Sequence, residues 1–564
     1  MSTPVADPTT PYDVAIVGGH LTPALLAAVL ARQGVRVLLV DGPDRGTEPG
    51  GDSTVPYTTA VYQLLAERFD VPEIAAFAHF VDLPERVRRV SGIKKSLAFL
   101  HHTPGRRHDP AHTVQFHVPG EHGEWHPYRP VVDDYAREIA ATYGAHTLPD
   151  RAPVVALRPA GDGVAVALAD GREFTARYAV DACGVDSPLR AGLGPGRGGA
   201  TDPLLLRSRL LSGQLRGVTP LEGCLDVAGY PGATAWSKGT IHHLFPGGWI
   251  QVVDHGNHDG SVHPVCGVTV GVDPHRFADL PADAAAAFKA LVATLPSVAE
   301  QFAGAEAVGP WVGGDPWQRL PAATYGDRWF AMERAACRTD DFLSRDATMG
   351  AEIVHALAAA LLRIVQDGAP AGEQFARVAA YQGELIAFND RMLAAARTAC
   401  DDFRLFNAFT RVWLLWQILA HLSLKRATAD ALAVGSWAPV ERFAGGALWF
   451  DTPDGLGRLL DDFFARFAAV RAGRLAPGAA AAGIFQALRR AKFAPPLYAF
   501  GDPKARYYHF TMLRRLLMVA WVSTIAPRDF KRLLTRDNVT GRRRPPAGRG
   551  AETTERGIRM GAVQ

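Results

Sequence analysis

The sequence predicts an α/β protein: a Rossmann-like three-layer nucleotide-binding domain, an antiparallel β-sheet substrate domain and a C-terminal helical region. Three observations predict it. Asp13 to Val17 is a short apolar run ending in Gly18-Gly19, followed by the helix-like LTPALLAAVLARQG and a second apolar run, Val35 to Val40, closed by Asp41. Strand, glycine turn, helix, strand and acid form the opening βαβ unit of a dinucleotide-binding fold, with glycines where the backbone approaches phosphate and an acid where ribose hydroxyls sit. Residues 151–180 alternate apolar and polar around Gly-Asp-Gly and Asp-Gly turns, as antiparallel strands do, and run into a buried-strand pattern at Ala179 to Gly184. After about residue 342 the pattern is persistently helical, with Ala, Leu and Arg at helical spacing.

The expected division follows these shifts of pattern: a discontinuous nucleotide-binding domain at 1–200 and 325–370, a β-rich substrate domain at 201–324, a helical domain at 371–535 and a disordered basic tail at 536–564. Phe403, Phe406, Phe409, Trp413 and Trp416 form an apolar stripe at helical spacing, which reads as core packing. The chain has 564 residues, 48% hydrophobic and 21% charged, enough apolar material for a large core. Sixty Lys and Arg against 57 Asp and Glu leave a net charge of +3, which gives no electrostatic reason for a nucleic-acid or membrane partner. A small organic substrate is expected instead. The N-terminal MSTPVADPTTPYD lacks a basic stretch followed by an apolar one, so a cytoplasmic location is expected. The apolar stretch from Val412 to Leu422 is too short to cross a bilayer. Five scattered cysteines without CxxC spacing predict a reducing compartment and no structural metal.

Further segments fall in the order found in FAD-dependent halogenases and aromatic monooxygenases. GDSTVP at 51–56 resembles the GESTxP segment of the halogenases, and SGIKKSLAF from Ser91 to Phe99 resembles their lysine segment. GGWIQVVD, Gly247 to Asp254, sits where they carry WxWxIP, and DDFLSRD, Asp340 to Asp346, resembles the PLFSxG segment beside the flavin ring. VDACG is similar to a strand end of FAD monooxygenases. The resemblance spans roughly residues 12 to 370. It implies FAD as cofactor, a separate flavin reductase as partner, and a small aromatic or carrier-bound substrate. In that family reduced flavin and oxygen convert halide to hypohalous acid, which a lysine presents to an electron-rich ring. Lys95 matches that lysine by its offset from Gly92, and Lys94 by counting back from Phe99; Lys95 is the favoured match. The resemblance further implies cofactor contacts from Gly18, Gly19, Asp41, Ser53, Asp181, Gly184 and Ser344. Substrate contacts are implied for Trp125, Arg129, Trp249 and Gln251.

Departures from the pattern cluster on the cofactor. His20 and Pro23 replace the second and third glycines of the dinucleotide fingerprint, where close backbone approach and helix packing favour glycine. Gln251, Val253 and Asp254 replace most of the tryptophan signature, and Asp341 and Asp346 replace a proline and a glycine. Glu333-Arg334-Ala335-Ala336 stands where FAD monooxygenases read Gly-Asp-Ala-Ala, and Leu343 stands where tryptophan halogenases carry a glutamate. These changes predict that FAD no longer binds in the usual way. The first expectation is therefore a non-redox step on an aromatic or polyketide-like intermediate, with His101 and His102 joining the lysines as acid-base candidates. Two others stand beside it: an active FADH2-dependent halogenase of a phenol or pyrrole, and a non-catalytic partner of a biosynthetic enzyme.

Overall fold

The computed structural model describes residues 11–42, 53–118, 123–184, 187, 192–193, 196–198, 203–225, 235–314, 318, 320–441, 455–508 and 511–534. The elements that build the site begin with β1 (Tyr12–Val17), α1 (Leu21–Arg32), β2 (Val37–Val40), β3 (Gly92–Lys94), β4 (Ser96–His101), β5 (Thr113–His117) and β6 (Glu124–His126). They continue with α2 (Arg129–Thr142), β7 (Glu173–Asp181), β8 (Gly239–Phe245), β9 (Gly248–Asp254) and β10 (Cys266–Val272). Three long helices follow: α3 (Asp346–Gln366), α4 (Ala371–Ala399) and α5 (Phe403–Val434).

β1 lies between β2 and β7, parallel to both, and β7 runs parallel to Trp329–Ala331 on its other side. The near-continuous apolar sequences of β1 and β2 follow from that position, because a central parallel strand is covered on both faces. The hairpin of Val154–Ala160 and Gly163–Leu168 hangs antiparallel from β7, as its Gly-Asp-Gly turn predicts. Every residue of α1 except Arg32 is buried, which accounts for a helix apolar on all sides. It packs against α2 and α3. The helical segment Phe342–Gln366 is long and apolar enough to cross a membrane, a stretch passed over in favour of Val412 to Leu422. With 72% of its most apolar window buried, it has the surroundings of a core helix.

The second sheet draws strands from both sides of residues 201–324. β8, β9 and β10 form its antiparallel centre, but β4 lies parallel beside β8, β5 follows, and Tyr507–Tyr508 closes that edge. All six residues of β4 are buried, so SLAFLH finds cover only inside a sheet with both faces packed. One of those faces meets the helical region: Phe406, Phe409, Trp413 and Trp416 of α5 share a core with Phe99, Phe116, Trp249 and Phe342. The aromatic stripe of α5 is thus core, as its spacing predicts. The basic tail, including Arg542 to Arg544, lies outside the described residues, as do Gly51 and Asp52 of the GDST loop.

The packing around Trp249 is close. Its indole stacks on Phe342 at 5.0 Å and 11°, while a Cβ added at Gly271 would stand 2.5 Å from two indole atoms. Gly271→Ala is therefore expected to destabilise the fold by about 1–3 kcal/mol, the usual cost of overpacking a filled core. A denaturant midpoint equal to that of the unaltered chain would contradict this.

Candidate active site

Beyond the carboxyl ends of β1, β7 and Trp329–Ala331 opens a cavity of about 960 Å³, its mouth included. This is the crevice where open α/β sheets take their ligands. The start of α1 forms one wall, with His20 and Thr22. Ser53 and Trp125 form another, and Glu333 and the first turns of α3 close the far side.

The α1 end of the cavity carries a dense set of charges. Gly18 has φ +135°, a conformation that favours glycine, and a Cβ on Gly19 would stand 1.6 Å from Asp41 Oδ1. That carboxylate accepts hydrogen bonds from Arg137 Nη1 at 2.9 Å and Arg151 Nε at 2.7 Å. The first N–H of α1, on Leu21, donates to Asp133 Oδ1 at 2.9 Å, which also accepts from Arg129 Nε at 3.0 Å. His20 Nε2 meets Glu333 Oε2 at 2.7 Å, the two side chains only 9% and 12% exposed. Glu333 also bonds Thr22, and the Cβ that Gly350 lacks would stand 2.3 Å from its Oε1. Burial pushes the Glu333 carboxyl up, but His20, Thr22 and Arg129 outweigh it, so its pKa lies below the ordinary value and it stays ionised. His20 and Glu333, two of the departures noted in the sequence, are each other's partner.

Lys94 and Lys95 have opposite fates, because neighbouring positions of an extended chain face opposite ways. Lys95 is exposed, whereas Lys94 is 2% exposed. Lys94 Nζ donates to Ser53 Oγ at 2.7 Å and to the Thr54 carbonyl at 2.5 Å. Ser53 Oγ continues to Thr240 Oγ1 at 2.9 Å and on to His126 Nε2 at 3.0 Å. In the β3–β6 ladder Lys94 stands opposite Glu124, so the two side chains share one face. Burial pushes Lys94 down to about 8 against the pull of Glu124, and pushes Glu124 up to about 7 against Lys94 and Thr54. His126 is held well below its ordinary value by burial and by Lys94, hence neutral.

Trp125 and Arg129 line the cavity, the former fully buried with its indole N–H on the Phe77 carbonyl at 2.8 Å. Trp249 lies in the core. Gln251 bonds His242 Nε2 at 3.1 Å and accepts from Ser344 Oγ at 3.2 Å. Ser344 and Leu343 have φ +50° and +67°, consecutive left-handed residues without glycine, and such strain gathers at sites that need a fixed shape. Asp181 Oδ1 accepts from Cys183 N at 2.9 Å and so shapes the turn leading to Gly184. His101 and His102 are not brought to Lys94. The chain leaves Lys94 along β4, which carries them about 20 Å away at strand rise. There His101 Nε2 bonds the Cys400 carbonyl, His102 Nε2 meets His243 Nδ1, and burial keeps both rings below their ordinary pKa. Sequence reasoning missed Glu124, Asp133, Arg137 and Arg151. Only Glu124 gave a signal, a carboxylate alternating with His126 in a three-residue strand.

Over 538 residues, covering 92% of this chain and 93% of the relative, the sequence is 30% identical to the monodechloroaminopyrrolnitrin halogenase PrnC of Pseudomonas fluorescens. The chain belongs to the flavin-dependent halogenases. This family member is also 29% identical over 521 residues to the tetracycline 7-halogenase of Kitasatospora aureofaciens, covering 91% of this chain and 93% of that one. Among solved structures, the halogenase PltM in complex with phloroglucinol and FAD superposes with a TM-score of 0.80 at 25% identity, over 88% of this chain and 99% of PltM. No family model matches the chain. The fold is therefore the α/β fold of the FAD-dependent halogenases. The placement of the cavity suits the family's cofactor: the start of α1, with its glycine turn, forms one wall, as at the phosphate seat of dinucleotide folds. Two carboxylate residues line the same cavity, Glu333 and Asp346, and the Glu333 carboxylate, beside the start of α1, opposes a dinucleotide.

Asp41 tests the charge balance at this end. Asp41→Ala leaves the buried Arg137 guanidinium without its counter-charge and is expected to destabilise the fold by about 3 kcal/mol. An unchanged urea midpoint would mean that water reaches Arg137 and replaces the carboxylate.

Proposed function

We propose that the chain is a reduced-FAD-dependent halogenase of a small electron-rich aromatic made in natural-product biosynthesis, supplied with reduced flavin by a separate reductase. The observation that carries the reading is Lys94: a buried ammonium bonded to Ser53, whose other side faces the cavity. Family membership supports it over the non-redox step, and His101 and His102, the histidines expected to serve that step, stand apart from Lys94.

The Gly18 turn, the start of α1 and Arg129 would hold FAD at one end, and Ser53, Trp125 and α3 along its length. Reduced FAD with oxygen supplies the oxidation that turns halide into hypohalous acid. Lys94 Nζ holds Ser53 Oγ and the Thr54 carbonyl, and through these two residues of the cavity wall its charge would fix and polarise the oxygen of that acid. The halogen passes to a ring carbon, and the hydroxide left behind takes the ring proton as water. Trp125, Ile353 and Leu385 keep bulk water from the reagent.

The test supplies the protein with FAD, a flavin reductase, NADH and chloride or bromide. It offers phloroglucinol and simple phenols and pyrroles, and reads halogenated product by mass. Halide-dependent product is expected, and Lys94→Ala should lose it at least about 100-fold while reduced flavin is still consumed, the scale of a lost positioned acid. No product from any ring sinks the reading. The pH profile gives a second check. Lys94 carries its proton below about 8, so product formation should fall as pH rises through that value. Glu124→Gln removes the charge that favours the ammonium and should move this limb to lower pH; a limb that stays put would mean that Lys94 is not the titrating donor.

A further inference from the structure

The N-terminus of a helix carries about half a positive charge and a set of N–H groups without helical acceptors, which makes it the seat of phosphate in dinucleotide folds. At α1 that seat is already answered from within. Leu21 N–H is bonded to Asp133, and the Glu333 carboxylate lies against Thr22 and His20. Glu333 is built into place. It has φ +51°, a left-handed conformation costly for a glutamate, and His20 pins its Oε2. Gly350 stands in the interior of α3, where alanine would be the better helix former, and its missing Cβ makes the room for Oε1. An unfavourable backbone, a helix-weakening glycine and a buried hydrogen bond to His20 all serve one carboxylate in the wall of the cavity.

We propose that Glu333, held by His20 and accommodated by Gly350, is an internal competitor for the pyrophosphate of FAD. The cofactor then binds only by displacing it and exchanges readily with the surrounding solution. The proposal rests on the FAD reading of the cavity. A bound pyrophosphate and an ionised Glu333 cannot share the α1 terminus without like-charge repulsion in a site poorly screened by water. The effect belongs to the phosphates, so oxidised and reduced FAD feel it alike, whereas a flavin without phosphate does not.

The test measures dissociation constants of FAD, ADP and riboflavin for the unaltered chain, Glu333→Gln and Glu333→Gly, by flavin fluorescence and by ADP competition. Glu333→Gln removes the charge and keeps the shape; Glu333→Gly also relieves the backbone. Both should tighten FAD and ADP at least tenfold and leave riboflavin unchanged, and FAD binding that is measurable only in the variants has the same meaning. Circular dichroism and melting temperature confirm that each variant is folded, and either folded variant suffices. FAD affinity that is unchanged or weaker overturns the proposal, as does an equal gain for riboflavin, which would put Glu333 at the ring and not at the phosphates. Halogenated product from the unaltered chain with no gain in the variants sinks this proposal alone. Tighter FAD without halogenation in any form sinks only the functional reading.

Discussion

A helix that starts inside a protein must have its first N–H groups answered, and at α1 this constraint organises everything around it. The helix is buried almost along its whole length, and its N-terminus opens onto the cavity. Asp133 answers it from α2, which fixes the angle at which α2 crosses α1 and brings Arg129 to the cavity. Arg137, two turns further on, is thereby placed on Asp41 at the end of β2. Glu333 arrives from the strand beside β7 and ties that edge of the sheet to the same point. The three carboxylates come from three separate parts of the chain, and each is matched by a cation or a helix end, which is the condition for keeping ionised groups out of water.

Lys94 obeys the same rule by a different route. Its charge is not cancelled by a close contact alone: hydroxyl and carbonyl oxygens hold the ammonium, and Glu124 faces it from the neighbouring strand. Burial shifts the two in opposite directions, Lys94 down and Glu124 up, each toward the other's range. That is the poise expected of a group used in chemistry rather than in scaffolding, and it depends on His126 remaining neutral on the far side of the Ser53–Thr240 link.

Much of this was legible in the sequence. The opening βαβ unit, the hairpin around Gly161 and the helical C-terminal region follow from periodicity and glycine placement, and the halogenase-like segments gave the family. What was not legible depended on facing and on distance. Which of two adjacent lysines points inward is decided by the pairing of β3 with β6, and no count from a motif sees that. The histidines after Lys94 read as neighbours of the site because they are near in sequence, but an extended strand turns nearness in sequence into separation in space. Departures at residues 20 and 333 each looked like a loss. Only their contact across 313 residues shows that they balance one another.

The edge of the second sheet has a consequence for how the chain reaches its native state. β5 is completed by Tyr507–Tyr508, and the Arg506 guanidinium bonds the Pro110 carbonyl 396 residues earlier. Contacts of such sequence separation form late, since the loop they close costs entropy before they reward it. During synthesis the sheet that backs the site thus waits, one edge unpaired, until almost the whole chain has left the ribosome. A chain cut short before residue 507 would expose that edge to other molecules rather than merely lack a tail.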